Sequence, residues 1–306
     1  MVKRLRFGLT GTGVFGNYHA NKCAQNPRID FIGVYDSNDQ TAKETARKYG
    51  VTAFATYEDM LQDVEAVIIA SAAPYHGSQA LLALKAGRHC LIEKPIAATL
   101  EAAQQILDLS KRNGLTVQVG HQERFVVGAI GLADIPETPM KIQASRMGTY
   151  TERGTDVSVT LDLMIHDLDL ILWLMGEFPQ KTVSTAKIER SDSADVSQAR
   201  LQFTHGYAEV LASRVADDFK RVMNIEYPSG TVKIDFASRT LVHDTPFDLN
   251  IDFATDPIAR DSLNAATESF VESILQAKPA AITAQSGFDA LRLALMIDAD
   301  ADKGSV

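Results

Sequence analysis

The sequence predicts two lobes: a doubly wound parallel α/β sheet over residues 1–120, then an α+β domain with a large, mostly antiparallel sheet over 121–306. Three observations predict this. Strand-like apolar runs alternate with helix-like segments through the first 120 residues, the pattern of parallel strands joined by crossover helices. The texture then changes to short alternating segments punctuated by Gly206 and the Ser229–Gly230 pair, which are hairpin signals. The length, 306 residues, is also more than one hydrophobic core usually organises.

The elements follow in order. RLRFGLTG reads as a strand and VFGNYHANKCAQ as a helix. DFIGVYD is a second strand, followed by a helix from Asp39 to Tyr49 with Gly50 just past its end. EAVIIAS is a continuous apolar run, as a strand covered on both faces requires. SQALLALKAG is a helix stopped by Gly87, and HCLIEK a strand ended by Pro95. TLEAAQQILDLSKRNG is a helix with Thr99 as N-cap and Gly114 beyond its end, and LTVQVGH is the last strand of the series. After Gly120 the segments MKIQASRMG, KTVSTAKIE, SQARLQFTH, YAEVLASRVA, RVMNIEYPS and GTVKIDFAS read as strands. One long helix, residues 161–174, lies among them, and two more close the chain near 261–276 and 286–299. The last is free to pack back on the first domain. Helices on one face of the second sheet leave the other open, which predicts a homodimer or homotetramer through that sheet.

Composition narrows the class. Hydrophobic residues make up 45% and charged residues 23%, ordinary for a soluble globular chain. The formal charge of −9 argues against a nucleic-acid surface, which needs a basic stripe. Cys23 and Cys90 lie in apolar surroundings outside any CxxC pattern and are expected to be buried free thiols, as in a reducing cytoplasm. No signal peptide is read at the N-terminus, and the apolar stretch 161–175 is too short and too interrupted by charge to span a bilayer.

Two features point to a dinucleotide. GTGVFG places Gly11, Gly13 and Gly16 in G-x-G-x-x-G spacing, directly after a strand and at the start of a helix. In a Rossmann fold the first glycine makes the tight turn, the second admits a pyrophosphate and the third lets helix and strand approach. The whole turn, Gly11, Thr12, Gly13, Val14, Phe15 and Gly16, is the expected cradle, with helix N-terminal amides facing the anion. Asp36 ends the second strand, where a carboxylate accepts hydrogen bonds from the ribose hydroxyls and repels a 2′-phosphate. Ser37, Asn38 and Asp39 bring no arginine to offset this, so NAD is expected over NADP.

Two further clusters carry chemistry. Glu93, Lys94 and Pro95 stand at the carboxyl end of a strand, where ligands of open α/β sheets bind. Alone, this is more often a charged strand terminus. LDLMIHDLDL then sets Asp162, His166 and Asp169 at i, i+4 and i+7 on one helix face, with Asp167 pointing elsewhere toward a backbone or basic partner. A histidine suits general base work near neutral pH. Alone, it is more often a satisfied core residue. Asp162 plus His166 also resembles half a zinc site, but no further ligand cluster completes it, so no metal is expected.

GTGVFG, Asp36, SAAPYHGSQALLALKAGRHCLIEKP and the D-x-x-x-H helix, in that order, resemble the glucose–fructose oxidoreductase / inositol dehydrogenase / MocA family over essentially the whole chain. The resemblance implies an NAD-dependent dehydrogenase of a sugar CH–OH group. It assigns Lys94, Asp162 and His166 to catalysis, Ser71, Pro74 and His76 to the nicotinamide side of the cofactor, and Glu93 and Lys94 to the cofactor-binding residues. VGHQERF and the segment 145–170 are similar to a narrower branch, which oxidises the 3-hydroxyl of UDP-N-acetylglucosamine. On that reading Arg124, Arg146 and Arg153 meet the substrate diphosphate. The alternatives are a dehydrogenase of a free sugar or polyol such as myo-inositol, and a non-catalytic NAD-binding regulator.

Overall fold

The computed structural model describes residues 3–152 and 154–303. Contacts divide the chain into two units: one runs through Gln122 and includes Leu263–Phe288, and the other holds Glu123–Ser262 and the chain from Asp289 on.

In the first unit, β1 (Leu5–Thr10), α1 (Val14–Gln25), β2 (Ile29–Tyr35), α2 (Asp39–Tyr49), β3 (Thr52–Ala53), α3 (Tyr57–Asp63), β4 (Ala66–Ile69), α4 (Ala73–Lys85), β5 (His89–Ile92), α5 (Leu100–Asn113) and β6 (Val117–Val119) alternate. The strands form one parallel sheet in the order β3-β2-β1-β4-β5-β6. Order reverses between β1 and β4, the switch point where open α/β sheets bind ligands. The helix ends follow the sequence. Asn38 caps α2 by accepting from the amides of Gln40 and Thr41, and Thr99 caps α5 by accepting from that of Ala102. β3 and α3 carry no expectation from the sequence. A two-residue strand and a seven-residue helix are too short for periodicity to speak.

The second unit opens with α6 (Glu123–Ile130), another short helix that the pattern does not announce. β7 (Lys141–Met147) follows. The expected long helix is two pieces: a π-helical turn, Thr160–Met164, and then α7 (Ile165–Met175). β8 (Lys181–Lys187), β9 (Val196–Phe203), β10 (Gly206–Ser213), β11 (Lys220–Tyr227), β12 (Gly230–Asp235) and β13 (Thr240–His243) complete a sheet ordered β13-β12-β11-β7-β10-β9-β8. Every pairing is antiparallel except β7 with β10, which is parallel. β9 shows how the sheet is built: Ala199, Leu201 and Phe203 are buried while Gln198, Arg200 and Gln202 between them are exposed. The outer face is polar, with Lys141 bonded to Glu226, and Arg200 and Gln143 both bonded to Glu209.

The short α8 (Pro257–Arg260), α9 (Ser262–Leu275) and α10 (Ala284–Lys303) end the chain. Phe270 and Val271 of α9 sit in the core of the first unit with Phe7, Leu9 and Ile68, and the Phe270 ring meets Phe7 edge-on at 5.8 Å. Residues 263–288 therefore group with the parallel sheet although they follow the other one in sequence. No helix among the described residues is long and apolar enough to cross a membrane. Cys23 and Cys90 are buried free thiols, and burial pushes the Cys23 thiol up to about 12.

Candidate functional site

The glycine turn has the geometry of a dinucleotide cradle. Gly11 sits at φ +85°, and a Cβ there would run into the backbone of Ala70 and Ser71 at the end of β4. At Gly16 a Cβ would strike the Gly11 carbonyl, so α1 approaches the strand only because both residues lack side chains. At Gly13 a Cβ would meet nothing within 4 Å. Internal packing therefore does not require that glycine, and the open space beside it fits a pyrophosphate. Gly13 is also the N-cap of α1 and brings no side chain to its first amides, which suits an anion there. Asn17 donates to the carbonyls of Thr12 (2.8 Å) and Gly13 (3.2 Å) and fixes the turn. Val14 and Phe15 form the first turn of α1.

Asp36, half-buried beyond β2, is held from the same turn. Its Oδ2 accepts from the Thr12 amide at 2.6 Å and the Thr12 hydroxyl at 3.0 Å, and its Oδ1 accepts from the Asn38 amide at 2.8 Å. The carboxylate is thus held in one orientation by the turn and by the Asn38 amide. These residues fit NAD, which when bound supplies the hydride acceptor.

The strand ends beyond β4 and β5 are laced together. Ser71 donates to Gln79 Oε1 at 2.8 Å. The buried His76 places Nε2 2.9 Å from the Ser71 carbonyl and Nδ1 2.7 Å from that of Pro95. Pro74 is exposed in the first turn of α4. Glu93 is buried. His19 Nε2 lies 2.8 Å from its Oε1 and Gln122 donates to the same oxygen at 3.3 Å. A Cβ on Gly120 would come within 2.7 Å of its carboxylate. Lys94, half-buried and joined to Pro95 by a cis bond, extends from this fixed base. His19, Asn17 and Gln122 carry no expectation from the sequence. Their one signal is proximity to the glycine turn and to the strand following α5.

In the second unit the π turn changes the meaning of the i, i+4, i+7 spacing. Asp162 lies inside it, and the Ile165 amide bonds back five residues to Thr160. The three acidic groups of the segment have different environments. Asp162 and His166 are half-buried. Asp169 is buried and takes a two-pronged ion pair from Arg124, both contacts 2.7 Å. Asp167, also buried, takes one from Arg146 at 3.0 and 2.9 Å, the basic partner that the sequence anticipates. Arg146 donates equally to Glu123, at 2.8 and 2.5 Å. Burial disfavours the Arg146 cation, but the two carboxylates outweigh it and keep it charged. Burial pushes the Asp167 carboxyl up, against the pull of Arg146.

This geometry corrects one expectation. Arg146 is 3% exposed and directs Nε, Nη1 and Nη2 at two carboxylates, so it acts as a buried strut and not as a diphosphate ligand. Arg124 is mostly committed to Asp169, with its guanidinium 5.2 Å from the Trp173 ring centre. Arg153 lies outside the described residues. Among the described residues no group of three His, Cys, Asp or Glu side chains is arranged to hold a metal.

Comparison with known proteins places the chain. Residues 5–121 match the Gfo/Idh/MocA model, described as "Oxidoreductase family, NAD-binding Rossmann fold". A UDP-N-acetylglucosamine 3-dehydrogenase from Acidithiobacillus ferrooxidans is 31% identical over 302 residues, 96% of each chain. A solved structure of the enzyme of that name superposes with a TM-score of 0.90 at 30% identity over 98% of each chain. An inositol 2-dehydrogenase from Agrobacterium fabrum is 32% identical, but over 56% of this chain and 55% of its own length. The cradle at Gly11–Gly16 and the oriented Asp36 agree with an end-to-end likeness of this kind, and the chain belongs to the Gfo/Idh/MocA oxidoreductase family, as an NAD-dependent oxidoreductase.

Proposed function

We propose that the protein oxidises the 3-hydroxyl of UDP-N-acetylglucosamine to the 3-keto sugar nucleotide, reducing NAD. The observation that carries this reading is the 31% identity spanning 96% of both chains to an enzyme with that name, whereas the inositol dehydrogenase of similar identity matches over about half. In this reading His166 takes the hydroxyl proton, Lys94 orients the alcohol, and Asp162 positions the sugar or fixes the imidazole tautomer. NAD, when bound, would accept the hydride from the same carbon, which would become a carbonyl. Ser71, Pro74 and His76 shape the nicotinamide side, and Glu93 and Lys94 belong to the cofactor-binding set. Arg124 and Arg153 are the arginines proposed for the diphosphate. The two buried thiols support a cytoplasmic location, and the outer face of the seven-stranded sheet is the proposed surface for a homodimer or homotetramer.

The test is NADH absorbance with UDP-N-acetylglucosamine, free glucose and myo-inositol, with a transaminase present to draw off the ketone. Reduction with the nucleotide sugar alone is expected. Replacing Lys94 with Met or His166 with Ala should lower turnover about 10²–10⁴-fold while NAD still binds. Reduction with myo-inositol and not with the nucleotide sugar would move the protein to the polyol dehydrogenases.

A further inference from the structure

Asp162 rests against a backbone position that has no side chain. Gly154 sits at φ +78°, and a Cβ there would lie 2.5 Å from Asp162 Oδ2 and 2.9 Å from its Cγ. The space that the carboxylate fills exists because residue 154 is glycine.

The Gly154 backbone is itself gripped. Arg214, 4% exposed, donates from Nη1 to the Gly154 carbonyl at 2.7 Å and the Val157 carbonyl at 3.0 Å. Its Nε goes to Asp195 Oδ1 at 2.8 Å, and its Nη2 to Ser191 Oγ, Ser193 Oγ and the Ala194 carbonyl at 3.1, 2.8 and 3.0 Å. Ser193 Oγ adds a bond to the Val157 carbonyl at 3.0 Å, and the Val159 amide donates to the Ala194 carbonyl at 2.8 Å. The segment leading into the π turn is therefore fastened to the 191–195 loop by a buried, charged fork.

We propose that Gly154 and Arg214 are positioning residues for Asp162: the glycine leaves the room its carboxylate occupies, and the arginine fixes the glycine's carbonyl. This rests on the reading of Asp162 as a substrate-side group. Both residues act through the placement of one carboxylate, and a displacement of about 1 Å in such a group costs about 100-fold in rate.

The test compares G154A with G176A. Gly176, the C-cap of α7, has a similar φ of +68°, but a Cβ there meets nothing within 4 Å. The two variants share the backbone strain and differ in the clash. G154A should lose about 100-fold in kcat/KM for the sugar nucleotide, with NAD affinity unchanged and G176A within a few-fold of wild type. In a D162N background G154A should cost no more than a few-fold, and R214K should behave as G154A does. A crystal structure of G154A should show the Asp162 carboxylate displaced. Equal losses in the wild-type and D162N backgrounds, or an unmoved carboxylate, would overturn the proposal. If wild type turns over no nucleotide sugar, the substrate reading fails, and the crystal structure still decides the positioning role.

Discussion

Asp195 shows how far one buried carboxylate can be held by its surroundings. Its Oδ2 accepts from the amides of Glu189, Arg190 and Ser191, at 2.8, 2.6 and 3.1 Å, and its Oδ1 from Ser191 Oγ and Arg214. Burial pushes the carboxyl up, but the Arg190 amide, the Ser191 hydroxyl, the Glu189 amide and the Arg214 guanidinium outweigh it and hold the group well below the usual carboxylate range. A depressed folded value means that the stabilisation is complete above the unfolded value, about 3.9, and is lost as pH falls through the folded one. The stability gap between wild type and D195N in urea titrations should therefore be constant near neutrality and shrink below about pH 4. A gap independent of pH down to strong acid would contradict this account. At the same scale, sequence alone shows that Asp167 and Asp169 need company and leaves their partners open. Arg124 and Arg146 have no local mark that separates a strut from a ligand contact. Arg214 is less legible still, because its partners lie in two loops far from it in sequence.

Among the elements, α9 gives the clearest energetic statement. Phe270 is fully buried with Phe7 and Leu9 against the parallel sheet. F270A should lower unfolding free energy by about 3–5 kcal/mol, from lost transfer energy and an unfilled cavity. Chemical denaturation of the variant checks it, and a loss under 1 kcal/mol would mean that α9 does not anchor there. Where the sequence speaks locally, it reads well. α1 and α2 have the bounds that their periodicity and the glycine past α2 suggest, and Thr99 caps α5 as expected. The π turn escapes such reading, since nothing in TLDLM separates an i→i+5 turn from an ordinary one. β13, four residues long at the sheet edge, is hidden by its brevity.

For the whole molecule, the cradle makes stability a reporter of cofactor choice. NAD at about a hundred times its Kd should add about 2.7 kcal/mol to unfolding, and NADP at the same concentration should add less, on the proposal that Asp36 receives the ribose hydroxyls and repels a 2′-phosphate. Thermal scans with each nucleotide check this. Greater stabilisation by NADP would remove Asp36 from its role. The alternation of strands and helices makes the first sheet predictable apart from its two-residue edge strand β3. The second sheet is predictable in kind but not in order, because which strand lies beside which is decided by packing between distant segments. The parallel pairing of β7 with β10 is the instance.

That pairing divides the labour of assembly unevenly. β8, β9 and β10 follow one another and form one ribbon through near-neighbour contacts, and β11, β12 and β13 form another. In the strand order no strand of one ribbon pairs with a strand of the other. The seven residues Lys141–Met147 arrive from earlier in the chain and hydrogen-bond to both. The sheet is thus two locally knit fabrics joined along a single seam, and the long loop closures needed to sew it make that seam the slow stitch in folding.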